Sequence, residues 1–543
     1  MLLTYMVKHA INYSMNNITT KQRVQVIKGT SYVYEDNPYW DSTKQQTRHK
    51  RKYIGKLDEE GRFIPNLFYS TALELRSLQQ EQPRSKSSPV GTYFGATYLL
   101  QAIAEKTGIR EDLQEAFPAD YQKILSLANY LAMESDSPMY RFSHWGVKHW
   151  HPYGQELGSQ RISELFATLA EEARMRFFRS QKERRGEKEH LAYDTTSISS
   201  YSQLMNHVKY GYNKDGDSLP QINLALVFGQ ESMMPIYYRK LPGNITDVTT
   251  VRKLLLDIDY LGFRKVKLVM DRGFYSAGNL NALFQQHYKF LIAGKSKVRW
   301  IGEHIDAVRQ SIQHFSCYEE EQEVYQSTTM TTWPYEEQDP QGQLLQSAPR
   351  RIYVHVYYNG QRAEEEKQSF LKDLADLKSC LQEGNCAPNQ EEMRDTFFYC
   401  KTSPKRGWRV TSNEVAIQEH MKTFGYFVLL SNEIKDPSLA LSIYRNKDLI
   451  EKSFGNLKNR LNMKRALVSS SESLDGKLFV QFVALMLVSY IHKVMKEHKL
   501  YKNYSMSALL DELDLIERFN YSGKHTHCSE MTKKQDYIYT CFK

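Results

Sequence analysis

At 543 residues the chain is too long for one ordinary domain, and three or four are expected. Hydrophobic residues at 41% and charged residues at 25% exclude a chain that is disordered throughout, while a formal charge of +9 and a pI of about 8.9 permit a polyanionic partner without demanding one. The six cysteines (Cys317, Cys380, Cys386, Cys400, Cys528 and Cys541) form no CxxC pair, which excludes a disulfide framework and fits a reducing compartment.

The opening "MLLTYMVKHAINYSMNN" lacks a long apolar run and a cleavage site, so no secretory signal is read there. Residues 20–65 alternate like strands, with turns expected at Asn37-Pro38 and Glu60-Gly61. Within them "RHKRK", Arg48 to Lys52, suits a phosphate backbone and equally a solvated edge strand guarded by charge. "QPRSKSSPVG", Gln82 to Gly91, reads as a linker. "TYLLQAIAEKTGIREDLQEAF" breaks at Thr107-Gly108 and predicts helix, tight turn, helix. That shape is compatible with a helix-turn-helix DNA reader, and with a plain helical hairpin. One amphipathic helix is expected from about Ile162 to Arg179, running into a basic stretch stopped by Gly186.

The pattern then changes. "HLAYDTTSISSYS" starts a strand, and "LPQINLALVFGQESMMPIYYRKLPG" gives a hairpin. A helix "DVTTVRKLLLDIDYL", a strand "RKVKLVMDRG", a helix "SAGNLNALFQQH" and a strand "YKFLIAGKSK" follow. The order fits an α/β fold with a mixed sheet flanked by helices. From Trp300 to Phe424 the chain is less regular, with a strand "RRIYVHVYYN" and an acidic helix "AEEEKQSFLKDLADLKSCLQE". "YFVLLSNE" returns to strand. "LFVQFVALMLVSYI", Leu478 to Ile491, falls short of the roughly 20 residues a bilayer needs and reads as a buried core helix with Asp475 as its cap. A soluble, cytoplasmic protein with no membrane partner is expected. "HTHC", His525 to Cys528, has no second ligand pair nearby and reads as a solvated tail rather than a zinc site.

"YRNKDLIEKSFGNLKNRL", Tyr444 to Leu461, reads as one helix with two stripes. Ile450, Phe454, Leu457 and Leu461 form a core stripe. Tyr444, Lys447, Glu451 and Lys458 share a second face about a quarter turn away. Three carboxylates then hold privileged places: Asp194 and Asp271, each read as ending a strand, and Glu451 on the polar stripe. Taken singly, each fits a turn former or a solvated acid. Gathered within a few ångströms they repel one another, and divalent cations remove the conflict. Oxygen-only ligands favour Mg²⁺ or Mn²⁺, and two such ions about 3.5–4 Å apart serve in-line phosphodiester chemistry.

"YRNKDLIEKSFGNLK" resembles the YREK signature of bacterial insertion-sequence DDE transposases of the insertion-sequence-four superfamily: Tyr444, Glu451 and Lys458 match in place, and position 447 is Lys where the signature has Arg. "LAYDTTSISSYS", "LPQINLALVFG", "LPGNITD" and "LVMDRGFYS" look like the same family's core blocks. The resemblance implies an RNase H-like catalytic core interrupted by an insertion domain. It also implies metal-dependent hydrolysis at transposon ends and transfer of 3′-hydroxyls into target DNA. Carried over by position, Asp194, Asp271 and Glu451 would be the catalytic residues holding two Mg²⁺ (or Mn²⁺) ions. Tyr444, Lys447 and Lys458 would grip phosphates near the cleaved end, with Arg445 in place of the missing Arg and Arg272 beside Asp271. The implied partners are double-stranded DNA, both terminal inverted repeats and target, and a second copy of the chain. Trp300 is read as a packed side chain, or as a platform for an unpaired base.

The expected layout is a basic β-rich region (1–85), a helical DNA-binding region (86–189), a core made of 190–300 and 425–500, an insertion domain (301–424) and a tail (501–543). Two other readings stand beside the transposase: a nuclease of the same fold without strand transfer, and a transposon-derived DNA-binding protein without chemistry.

Overall fold

In the computed structural model, residues 21–27, 29–41, 44–66, 69–70, 90–184, 189–202, 205–338, 344–383, 390–403, 407–468, 470–520 and 526–543 are described. The chain divides into two compact units, Met1–Val90 with Asn520–Thr526, and Gly91–Phe519 with His527–Lys543.

The first unit holds an antiparallel sheet of β1 (Lys21–Ile27), β2 (Thr30–Asp41), β3 (Gln46–Leu57) and β4 (Phe63–Pro65), in that order. The turn expected at Asn37-Pro38 is absent: both residues lie inside β2, opposite Lys50 and His49. Among the described residues β1 reaches to the Lys21–Asp36 pair, two positions short of Pro38. The turn at Glu60-Gly61 is present, with Gly61 at φ 78°. Arg48 to Lys52 are exposed along β3. His49 (2.9 Å) and Arg23 (2.7 Å) converge on the buried Asp36. The expected linker lies outside the described residues except for Val90 and Gly91, which open β5 (Val90–Tyr93).

In the second unit the helix–turn–helix shape is present: helices Gly95–Lys106 and Ile109–Ala116 meet at Gly108, which adopts φ 72°. The outward face of the second helix carries Glu111 and Glu115 against Arg110, and Asp112 is buried in a clasp with Arg184 (2.7 Å) and Gln181 (2.6 Å). The single helix expected over 162–179 is two helices, Ser159–Thr168 and Glu171–Glu183. Ala170 between them is extended (ψ 148°), Leu169 turns into the core, and Glu171 and Glu172 favour a new helix N-terminus. Gly186 lies outside the described residues.

The centre of this unit is a nine-stranded mixed sheet. Its strands are β6 (His190–Ser199), β7 (Gln221–Gly229), β8 (Met234–Pro242), β9 (Lys267–Met270), β10 (Lys289–Gly294), β11 (Tyr318–Glu319), β12 (Val324–Gln338), β13 (Leu344–Tyr358) and a last strand, Tyr426–Ser431. They run in the order β11, β12, β13, last strand, β10, β9, β6, β7, β8. β6, β7 and β8 form an antiparallel meander, and β9 and β10 run parallel to β6. The parallel crossovers are the helices Asp247–Tyr260 and Ala277–Gln285.

The boundary expected at residue 301 does not fall at an edge of this sheet. β13 pairs with the last strand from Tyr353–Ser431 to Tyr358–Tyr426. Its successive residues Ile352 to Tyr357 are all buried, so both faces are covered and the strand sits inside a sheet. A separate small core forms only beyond it, from Phe370, Leu374, Leu377, Leu381, Phe397, Phe398 and Ile417.

The helix Ser471–Glu497 is the apolar hub. It is long and apolar enough to cross a bilayer, and 83% of its most apolar window is buried in the protein. Its cap is Ser470, which accepts from Ser473 N, and not Asp475. Asp475 lies inside the first turns and pairs with Lys240 at 2.5 Å and Arg174 at 3.7 Å. Phe479 and Phe482 meet Phe177 and Phe178 edge-on at 5.3 and 5.4 Å. Such pairs contribute about 0.5–1.5 kcal/mol each beyond area burial. At Gly476 a Cβ would stand 2.1 Å from Phe166 O, so only glycine allows this approach.

Candidate active site

Two carboxylates are placed by strand register. β6 and β9 are parallel with Tyr193 opposite Met270, so the next residues, Asp194 and Asp271, leave neighbouring strands at one level. Adjacent strands lie about 4.8 Å apart. It is β9 that stops there. β6 continues to Ser199 against β7, so Asp194 sits within its strand rather than at its end, opposite Leu226.

Each acid has a distinct environment. Asp194 Oδ1 accepts from Thr195 N at 2.7 Å. Burial raises its pKa, against the lowering effects of Lys214, that backbone bond and Lys447. Asp271 Oδ1 accepts from Arg272 N (2.7 Å) and from the Tyr444 hydroxyl (2.8 Å). Burial pushes Asp271 up too, but the Lys447 ammonium, the tyrosine and the backbone N–H together hold it below the ordinary carboxylate range.

The third acid arrives on a broken helix. The single helix expected from Tyr444 to Leu461 is Pro437–Arg445, then Asp448–Gly455, then a wider π-turn over Asn456–Arg460. At the break, Lys447 N, Leu449 N and Ile450 N bond carbonyls only three residues back. Asn446 is a weak helix former and tolerates the break. The apolar stripe survives it, with Ile450, Phe454, Leu457 and Leu461 all buried. The polar residues are regrouped. Tyr444 reaches Asp271 from the end of the first piece, and Lys447 opens the second with Glu451 one turn on.

Lys447, only 8% exposed, ties the acids together. Its Nζ is 3.4 Å from Asp271 Oδ2 and 3.1 Å from Glu451 Oε1, which puts those oxygens at most 6.5 Å apart. Burial alone would lower the pKa of this ammonium, but Asp271, Glu451 and Asp194 raise it above the usual lysine value. Among the described residues no three Asp, Glu, His or Cys side chains stand close enough to hold one ion. Carboxylate oxygens are the donors a hard divalent cation takes, and here the Lys447 ammonium stands between two of them.

The expected phosphate contacts are engaged otherwise in this structure. Lys447 faces carboxylates, and the Tyr444 hydroxyl is spent on Asp271. Lys458 is buried and sits 2.5 Å from Asp215. Arg445 donates to Gln322 O at 3.2 Å. Arg272 is exposed beside Asp271. Trp300 is packed: its Nε1 donates to Tyr275 Oη at 2.9 Å, and its ring lies 5.5 Å from Trp333.

Sequence reasoning passed over Lys214 and Asp247. Lys214 Nζ lies 2.7 Å from Thr195 Oγ1, 3.3 Å from Asp247 Oδ2 and 3.7 Å from Asp194 Oδ1. Thr195 Oγ1 donates to Asp247 Oδ1 at 2.6 Å. Lys214 was signalled by the charged loop "NKDGD", Asn213 to Asp217, which has no periodicity to place it, and Asp247 by its place at the end of the core block "LPGNITD". Lys214, Asp215, Asp217, Lys464 and Arg465 join the three acids around one cleft of about 770 Å³. Alternating acids and cations suit this wall to hold metal ions and an anionic strand together.

The family described as "Transposase DDE domain" matches residues 185–487, which include the meander, both aspartates and Glu451. No curated protein matches the chain. Among solved structures, a piggyBac transposase synaptic complex with hairpin DNA aligns at 12% identity over 77% of this chain and 69% of that chain, with a TM-score of 0.34. A Mos1 transposase paired-end complex with the left transposon end aligns at 14% identity over 43% of this chain and 69% of that chain, with a TM-score of 0.14. The family match spans more than half of the 543 residues, and the chain accordingly belongs to the DDE-domain transposases.

Proposed function

We propose that this transposase cuts DNA at the ends of its own element and joins the freed 3′-hydroxyls to target DNA, with Asp194, Asp271 and Glu451 as its catalytic acids. The observation that carries this reading is the convergence of the two register-matched aspartates and the helical glutamate on one cleft. The meander followed by two parallel strands supports an RNase H-like core. Asp194, Asp271 and Glu451 would hold two Mg²⁺ or Mn²⁺ ions, which when bound activate the attacking oxygen and stabilise the leaving one.

The chain's own residues prepare the site. Tyr444 and Arg272 N fix the Asp271 carboxylate. Thr195 N fixes Asp194, and Lys214 with Asp247 braces the same strand. Lys447 keeps Asp271 and Glu451 from repelling each other. Lys464 and Arg465, exposed on the cleft wall, meet the DNA backbone. A second copy of the chain is needed to hold both ends.

The test is cleavage of DNA carrying the element's terminal repeats, with a divalent metal, by the unaltered chain and by Asp194→Ala, Asp271→Ala and Glu451→Ala. Each variant is expected to lose at least about a thousandfold in rate while still binding DNA. Full cleavage by Glu451→Ala rejects the assignment, and binding without cutting by the unaltered chain rejects the enzyme.

A further inference from the structure

A second cavity, of about 250 Å³, lies against the helices Ser159–Thr168 and Ser471–Glu497. Its walls are largely apolar, from Leu131, Met139, Ile162, Phe166, Leu467 and Val468. One cation lines it. Lys477 is 8% exposed, and among the described residues no hydrogen bond or ion pair reaches its ammonium. Burial alone lowers its pKa, to about 8, with no neighbouring charge to oppose the shift. No Asp or Glu is in the wall among the described residues. One turn along the helix, Gln481 donates through Nε2 to Leu461 O at 2.7 Å, while its Oε1 is buried with no partner.

These groups specify a ligand. A buried ammonium without a counter-charge is unfavourable until an anion enters beside it. A single lysine matches a single negative charge. Ser159, Ser163 and Ser473 add neutral donors, but inorganic phosphate carries close to two charges, and among the described lining residues Lys477 is the one cation. The size is just below that of ordinary small-molecule pockets and suits one ring. The unpaired Gln481 oxygen asks for an N–H or O–H on the ligand.

We propose that this cavity binds a small aromatic monocarboxylate: its carboxylate on Lys477, its ring among Ile162, Phe166 and Leu467, and a hydroxyl or amino group on Gln481 Oε1. The occupant has a route to the cleft. Leu467 and Val468 wall the cavity, and Lys464 and Arg465, just before them in the chain, line the catalytic cleft. Ala466 N bonds Ser199 O at 3.0 Å, which anchors that segment to the strand of Asp194. Binding therefore adjusts DNA affinity. That second step rests on the cleft being the DNA site, while the binding itself does not.

The probe is 4-hydroxybenzoate, which carries one carboxylate, one ring and one hydroxyl. It is titrated by calorimetry into the full chain without DNA, and into Lys477→Met and Gln481→Leu. The unaltered chain is expected to bind with a Kd below about 1 mM. Lys477→Met should lose at least tenfold and Gln481→Leu a smaller factor, with circular dichroism showing all three folded. Lys477→Met exchanges an unpaired charge for an apolar chain of similar length, so it should keep the fold. No binding by the unaltered chain up to about 10 mM overturns the proposal. So does equal affinity in Lys477→Met, or equally tight binding of inorganic phosphate. If Lys477 is shielded from amine-reactive labelling by duplex DNA but not by the probe, the cavity takes a nucleotide and the small-ligand proposal is rejected. If the probe binds but DNA affinity stays within twofold, the binding site stands and its link to the cleft falls.

Discussion

Replacing Tyr444 by Phe removes one hydroxyl and keeps the ring. In the structure that hydroxyl donates to Asp271 Oδ1 at 2.8 Å, beside Arg272 N on the same oxygen, while the Lys447 ammonium stands 3.4 Å from Oδ2. A hydrogen bond to a charged group is worth about 1.5–3 kcal/mol. If it fixes the carboxylate in the reacting state, its loss lowers the rate by about 10- to 150-fold. The Asp271 pKa, now held down in part by this bond, should rise as well. A phosphate-gripping tyrosine would behave differently, because its loss weakens DNA binding instead. The assay is single-turnover cleavage at saturating DNA, with a separate binding isotherm at fixed salt. The expected result is a slow step at saturation with DNA affinity changed less than about twofold. A Kd that rises tenfold while the saturated rate is unchanged would refute the positioning role and return Tyr444 to the DNA.

Gly476→Ala should lower the melting temperature by several degrees, since its Cβ would meet Phe166 O at 2.1 Å and Phe166 Cα at 2.5 Å, and backbone atoms cannot step aside. Overpacking of this kind costs about 1–3 kcal/mol or more, and an unchanged melting temperature would contradict the packing described. Lys477 predicts a pH dependence of stability. Its folded pKa of about 8 lies below the ordinary 10.5, so between those values the unfolded chain binds more protons. Stability should therefore rise as pH climbs from about 8 to 10.5, recovering a burial penalty of about 3 kcal/mol that is fully present below 8. Urea midpoints for the unaltered chain and Lys477→Met, compared at pH 7.5 and 10, check this, and parallel behaviour of the two would disprove it.

Much of the second unit was legible in the sequence because it rests on local patterns. The β6–β7–β8 meander, the two crossover helices and the break at Gly108 follow from alternation, helical period and turn chemistry. Three readings failed for want of tertiary information. The helix over 162–179 breaks because Leu169 is claimed by the core. Pro38 sits within a strand because β2 runs on past it, opposite His49 of β3. The region after residue 301 joins the central sheet because β13 finds a partner far along the chain.

The site divides the same way. Sequence alone marked Asp194, Asp271 and Glu451, through a resemblance and through their places on strands and a helix. It could not show that Tyr193 pairs with Met270, which puts two acids 77 positions apart on the same level. Nor could it show that the helix breaks at Asn446, which brings Tyr444 and Lys447 against Asp271. Period and composition report which face of an element is apolar. Which charge stands opposite which is decided only when register and helix breaks bring distant residues together, and for Lys447, Lys458 and Lys214 that choice set their partners.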